Sequence, residues 1–305
     1  MKFTVYQDSR IGKRKSNQDR IAYCYSRDAL LMVLADGMGG HLHGEVAAQI
    51  AVQYLTHAFQ KEARPSLRDP FVFLSQGLTN AHHAILDYAE EKHLADMPRT
   101  TCVACVIQDS VAYWAHAGDS RLYHIRGSRI ANQTRDHSRL QLLIEQGLVS
   151  LEESHTHPLR NRIFSCLGGT QPPQIDYSKK TPLHSGDILA LCSDGVWGPL
   201  EAMDMVRFLT VPNLEQGVTR LMQHAELAGG KQCDNLSLIT LRWEEDYQGE
   251  SLGAISTQTM PAGGFSTNMG GFTLGSGNPP PADLSDEEIE KAIQEINNAI
   301  QKFSK

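Results

Sequence analysis

The sequence predicts an α+β fold in which two antiparallel β-sheets pack face to face as a sandwich flanked by α-helices, and three observations carry that expectation. Short apolar segments follow one another closely, which favours antiparallel pairing over long crossovers. Two long helical patterns each present one apolar stripe, so each covers the face of a sheet. The 305 residues are enough to bury a substantial core without disulfides or structural metal.

Taken in order, strands are expected over 3–7, 21–25, 30–35, 102–107, 111–117, 122–125, 188–192 and 236–243. The first helix is marked by Val46, Ile50, Tyr54 and Ala58 at four-residue spacing, the second by Leu74, Leu78, Ala81, Ile85 and Tyr88. Shorter helical patterns follow over 140–144 and 218–225. From about Asp246 the composition shifts to Gly, Ser, Thr, Pro and Met with no apolar period, so 1–245 is expected to be the globular domain and 246–282 a flexible linker. Ser285 and Glu288 then form a capping box ahead of Ile289, Ile293, Ile296, Ile300 and Phe303, which makes 283–305 an amphipathic helix. Its apolar stripe is large enough to need a cover, for which a different protein, a second copy of the helix and its own catalytic domain are the three candidates, docking to another protein being the favoured one.

The net charge of -7 and pI near 6.0 exclude a general attraction to nucleic acid or to an anionic membrane surface. No apolar run is long enough to span a bilayer, and Met1-Lys2-Phe3-Thr4 lacks the apolar core of a signal peptide. The cysteines, Cys24, Cys102, Cys105, Cys166, Cys192 and Cys233, lie mostly in apolar segments, so free thiols and a cytoplasmic location are expected. Cys102 and Cys105 form a C-x-x-C inside an apolar strand pattern, which suits packing better than redox or zinc chemistry.

Four aspartates stand at the margins of apolar strands: Asp36, Asp119, Asp194 and Asp234. Strand ends at one edge of a sandwich converge, and carboxylates gathered there repel one another unless cations neutralise them. Oxygen-only ligation selects Mg²⁺, Mn²⁺ or Ca²⁺ over zinc. Glycine follows Asp36 and Asp194, so the chain can turn sharply there and Gly37 can offer its carbonyl to a metal.

Gly12-x-Arg14-x-x-Asn17-Gln18-Asp19, Ala35-Asp36-Gly37-Met38-Gly39-Gly40-His41, Gly118-Asp119-Ser120-Arg121, Asp136-His137-Ser138, His157-Pro158-Leu159-Arg160-Asn161, Cys192-Ser193-Asp194-Gly195 and Asp234-Asn235 resemble, in order, the motifs of PPM (type 2C) metal-dependent serine/threonine protein phosphatases of the bacterial branch. The resemblance covers about the first four-fifths of the chain. It implies a two-sheet sandwich and two Mn²⁺ or Mg²⁺ ions, with Asp36 bridging them, Asp194 and Asp234 completing one ion, and the Gly37 carbonyl serving the other. It implies that Asp119 holds a third ion and that Asp19 lies near the second metal, with Gln18 where much of the family has Glu. Arg14 would clamp the substrate phosphate through its planar fork of donors, making Arg14 and Asp36 the catalytic pair. The reaction implied is direct attack by a metal-bridging hydroxide on phosphoserine or phosphothreonine, in signalling that opposes a serine/threonine kinase. Animal members carry a proton-donating histidine where this chain has Met38, and His41 is the nearby candidate for a substrate contact.

Other chemistries fit poorly. No Asp-x-x-His pair is present to activate Ser120 as an esterase nucleophile, and no cysteine has an arginine six positions later to hold phosphate. A weakly catalytic phosphatase-like scaffold, docking a partner through its terminal helix, is the alternative from a different class. It gains nothing from concentrating repelling carboxylates.

Overall fold

The computed structural model describes residues 1–38, 43–150, 153, 157–160, 162–245 and 253–270. In chain order these form β1 (Lys2–Arg10), β2 (Asp19–Ser26), β3 (Ala29–Asp36), α1 (Gly44–Glu62), α2 (Pro70–Glu91), β4 (Arg99–Thr100), β5 (Cys102–Gln108), β6 (Val111–Ala117), β7 (Arg121–Arg126) and β8 (Arg129–Gln133). There follow α3 (Arg139–Glu145), β9 (Leu167–Gly168), β10 (Asp176–Tyr177), β11 (Thr181–Pro182), β12 (Ile188–Cys192), α4 (Asp194–Trp197), α5 (Ala202–Leu209), α6 (Leu214–Gly229), β13 (Leu236–Trp243), β14 (Ile255–Ser256) and β15 (Phe265–Gly270).

One sheet runs β14-β1-β13-β12-β7-β8 and the other β10-β6-β5-β3-β2-β15, with β11 also on β6. Every pairing in both sheets is antiparallel, so the expected sandwich of two antiparallel sheets is the observed fold. Strand alternation explains how one chain builds two apolar layers. Leu189 and Leu191 of β12 join Ile239, Leu241 and Trp243 of β13 in the core between the sheets, facing Leu30, Met32 and Leu34 of β3. The intervening Ile188, Ala190 and Cys192 point the other way, onto Met205, Leu209, Leu221 and Met222 of α5 and α6. On the far side, α1 and α2 lie on β2, β3, β5 and β6. The α1 stripe is shifted from the expected one: Leu55 and Phe59 are buried, while Tyr54 and Ala58 are half-buried.

The segment 246–282, read from composition as a flexible linker, is corrected in part. Within it, β14 pairs with β1 and β15 pairs along β2 from Phe265↔Ser26 to Gly270↔Ile21, so 253–270 forms an edge of each sheet. Main-chain bonds and polar contacts such as Gln7 Nε2 to Asn268 Oδ1 (2.8 Å) and Gln60 Nε2 to Thr267 Oγ1 (2.7 Å) hold it there. An edge strand held this way needs no apolar alternation, which is why periodicity was silent about it. The terminal amphipathic helix expected over 283–305 lies outside the described residues. Among the described residues, no helix is long and apolar enough to cross a membrane.

Candidate metal centre

The same alternation that fills the core also gathers the acids. Ile21 of β2 and Leu34 of β3 point into the space between the sheets, so Asp19 and Asp36, two residues before and after them, point there at the rim. Antiparallel register sets Asp19 directly opposite Asp36. From the other sheet, β12 ends at Cys192 and delivers Asp194 as the first residue of α4, and Asp234 lies just before β13. Asp119 occupies the turn between β6 and β7.

Two glycines make the convergence possible. A Cβ on Gly37 would lie 2.4 Å from the Gly44 carbonyl oxygen and 2.8 Å from that of Gln18, and one on Gly195 would lie 2.0 Å from the Asn235 carbonyl oxygen. Any side chain at either position would push apart the backbones carrying Asp36, Asp194 and Asp234. Asn235 fixes the loop bearing Arg14: its Nδ2 donates to the Ile11 and Ser16 carbonyls, both at 2.9 Å, and its Oδ1 accepts the Gln18 N–H at 2.9 Å.

The electrostatics are those of an over-charged pocket. Burial and then the charges of Asp19, Asp194, Asp119 and Asp234 raise the Asp36 carboxyl well above its ordinary range. Asp119 is likewise raised by burial and by Asp194 and Asp136. Burial pushes Asp19 up to about 7 against hydrogen bonds from Ser237 and Ser193. Asp194 is raised to about 6 by burial and Asp234, partly offset by its hydrogen bond with Asp36. Asp19 is fully buried; Oδ2 accepts from Ser193 Oγ at 2.8 Å, while Oδ1 has no partner. A buried carboxylate oxygen without a donor, among carboxyls that repel one another, is the environment a hard dication satisfies. The donor set therefore fits Mn²⁺ or Mg²⁺.

All the residues expected at the site except His41 lie among the described residues. Asp19, Asp36, Asp119, Asp194 and Asp234 form one interacting cluster. Arg14 joins it through Asp234, donating from Nε to Oδ1 at 2.7 Å and from Nη2 to Oδ2 at 2.5 Å, within electrostatic reach of Asp194 and Asp36. Gln18 turns its amide to Glu45 of α1, 3.1 Å away. His41 lies outside the described residues. Sequence reading missed the supports: Ser193 on Asp19, Thr101 bonded to the Asp36 backbone, Trp197 on Asp119, and Arg160, which donates to the Gly198 carbonyl at 2.9 Å beside Asp194. Asn235 and Ser193 stand next to the aspartates in sequence, which is a usable signal; Thr101 carries none.

Among the described residues, the group whose possible ligand atoms all lie within 4.8 Å of one another is not the aspartates but His116, His137 and Asp176, behind the Asp119 turn. The hydrogen-bonding directions assign it a different role. Gly118 N–H donates to His137 Nδ1 at 3.2 Å, so the ring hydrogen sits on Nε2, which faces Asp176 Oδ2 at 3.2 Å. His116 Nε2 donates to the Arg135 carbonyl at 2.7 Å. A metal on His137 Nε2 would require the hydrogen on Nδ1, where it would oppose the Gly118 N–H. The group is a hydrogen-bonded support for the turn.

The family model described as protein phosphatase 2C matches residues 6–232. The chain belongs to the protein phosphatase 2C family. The chain is 31% identical over 239 residues to protein phosphatase PhpP of Streptococcus pneumoniae, a match that covers 77% of this chain and 96% of PhpP. It is 30% identical over 226 residues to serine/threonine protein phosphatase PstP of Mycobacterium tuberculosis, covering 74% of this chain; the chain spans only 42% of that longer relative. The crystal structure of serine/threonine phosphatase Stp1 from Staphylococcus aureus superposes with a TM-score of 0.72 at 30% identity, over 79% of this chain and 95% of Stp1. The catalytic domain of PstP in complex with two manganese ions gives 0.68 at 27% identity, over 80% and 99%. The fold of the family and its dication chemistry thus agree with the donor set at the rim.

Proposed function

We propose that this chain hydrolyses phosphoserine and phosphothreonine in proteins at the rim cluster, using two Mn²⁺ or Mg²⁺ ions. The observation that carries the reading is the convergence of aspartates from both sheets into one half-buried, under-neutralised cluster with Arg14 on Asp234. Asp36, Asp194, Asp234 and the Gly37 carbonyl would hold the catalytic pair, with Asp19 close by and Asp119 holding a third ion. When bound, the ions supply a water acidic enough to attack phosphorus near neutral pH and neutralise the phosphate oxygens. Arg14, with 53% of its side chain exposed, presents its guanidinium at the solvent side of the cluster. There it can exchange Asp234 for the substrate phosphate, which offers the same bidentate geometry. Met38 follows Gly37 and its thioether has no proton to give, so the proton for the leaving alkoxide must come from another group, His41 or water.

The reading extends to a cytoplasmic phosphatase that opposes a serine/threonine kinase, with 283–305 docking a protein partner. The test is turnover of a phosphothreonine peptide before chelation, after chelation and after refilling with Mn²⁺. Activity should vanish on chelation and return on refilling; full turnover after exhaustive chelation contradicts the reading. A chain ending after Gly270 should keep that turnover and lose rate on its phosphoprotein. Ending at Trp243 instead would strip β14 and β15 from the sheets.

A further inference from the structure

The Asp119 turn is bonded to both halves of the cluster. On one side Ser120 Oγ and Thr101 Oγ1 are 2.7 Å apart, and Thr101 exchanges backbone and hydroxyl bonds with Asp36: Thr101 N–H to the Asp36 carbonyl at 2.9 Å, Asp36 N–H to Thr101 Oγ1 at 3.2 Å. On the other side the Asp119 carbonyl accepts the indole Nε1–H of Trp197 at 3.0 Å. Trp197 closes the one-turn helix that Asp194 opens. The indole is not free to move: the Arg121 guanidinium lies 3.5 Å over its ring, and Arg121 is held by Asp136 through two bonds of 2.8 Å and by the Tyr123 hydroxyl at 3.0 Å. Arg121 is thus spent as a clamp on the tryptophan.

We infer that Trp197 is a positioning residue that sets the affinity of the Asp119 carboxylate for its ion and ties that ion's site to Asp194. This rests on the reading of Asp119 as a third-ion ligand. An indole donor fixed in a stack holds the Asp119 carbonyl in one place, and the carboxylate borne by the same residue inherits that orientation. Such outer supports of metal ligands typically change affinity by about 10–100-fold.

Trp197→Phe deletes the N–H and keeps a ring beneath Arg121. Calorimetric Mn²⁺ titration of the variant should show the tight pair bound as in the wild type and the weak ion bound roughly tenfold more weakly. The Mn²⁺ concentration for half-maximal activity should rise by the same factor, with KM for a phosphopeptide unchanged at saturating Mn²⁺. An unaltered weak phase, or loss of the tight pair together with it, overturns the inference. A measurement on the wild-type chain stands apart from any folding defect: in a Mg²⁺ titration followed by ¹H–¹⁵N spectra, the Trp197 indole signal should move during the weak phase, and a signal that stays fixed overturns it equally. Asp119→Ala separates the two layers. If it leaves the weak phase intact, the third-ion reading fails; if it removes that phase while Trp197→Phe does not, only the role of Trp197 fails.

Discussion

The two ends of the β7–β12 strand pair hold buried aspartates in opposite electrostatic states. At one end Asp187, 2% exposed, accepts from His124 Nε2 (3.0 Å), from Arg126 Nε and Nη2 (2.9 and 2.6 Å) and from the His184 N–H (2.9 Å). Burial alone would raise its pKa, but the hydrogen bonds from Arg126 and His124 hold it well below the usual carboxylate range. At the other end Asp19, equally buried, keeps an oxygen without a partner, and Asp36 and Asp119 are pushed well above that range by burial and by neighbouring carboxylates. Burial is common to both ends. Unmatched negative charge belongs to one, and it is what distinguishes a place that recruits cations from a place that is finished when folded.

The comparison breaks most visibly by substitution. Asp36→Asn should lower phosphopeptide turnover by about a thousandfold or more, because a group serving both ions carries several kcal/mol of charge stabilisation. The same change should raise the melting temperature of the metal-free protein near neutral pH, since it removes a carboxyl that must take up a proton on folding. Asp187→Asn should do the reverse, costing about 3 kcal/mol of stability by leaving Arg126 without its full partner while preserving turnover of the folded fraction. Parallel melting and steady-state assays of both variants check this, and similar behaviour of the two would erase the distinction.

A pH series sharpens it. The rim carboxyls have folded pKa values above their unfolded ones, with Asp194 near 6 and Asp19 near 7 against an ordinary 3.8. The folded state therefore binds more protons than the unfolded state across that window, and stability falls as pH rises through it. Chelated protein should melt at a lower temperature at pH 8 than at pH 5, and Mn²⁺ should stabilise it more at pH 8. The Asp187 contribution has the opposite sign, present above the ordinary carboxylate range and lost only in acid, so it is flat between those two conditions.

Smaller effects probe the edges of the cluster. Asp119→Ala should leave the tight pair of ions bound while lowering turnover roughly tenfold, read from calorimetry and initial rates. Arg14→Ala should raise KM for the phosphopeptide by roughly tenfold, as loss of a charge-assisted contact to phosphate would. It should not weaken Mn²⁺ binding, because removing a cation from Asp234 leaves that carboxylate freer for metal. A fall in Mn²⁺ affinity would make Arg14 an organiser of the ligands rather than a hand for substrate.

Much of this is legible in the amino-acid sequence. Apolar strands with Asp36, Asp194 and Asp234 at their margins announce both the sandwich and the place where acids meet, because strand parity and strand ends are properties of the sequence itself. The edge strands at 255–256 and 265–270 were not legible, since polar residues held by main-chain bonds leave no hydrophobic period. Nor was the partner of Arg14, whose pairing with Asp234 spans 220 positions in sequence. The indole bond from Trp197 to the Asp119 carbonyl depends on how a turn and a short helix approach each other, and no local pattern encodes that.

The central claim is that buried acids here retain protons because their cations must come from solution. Calorimetric titration of the chelated protein with Mn²⁺ near pH 6, repeated in two buffers of different ionisation enthalpy, measures it directly. Saturable binding of about two ions with net release of roughly one proton or more, shrinking towards pH 8, is the predicted result. Binding that releases no protons at pH 6, or no saturable binding at all, would contradict it.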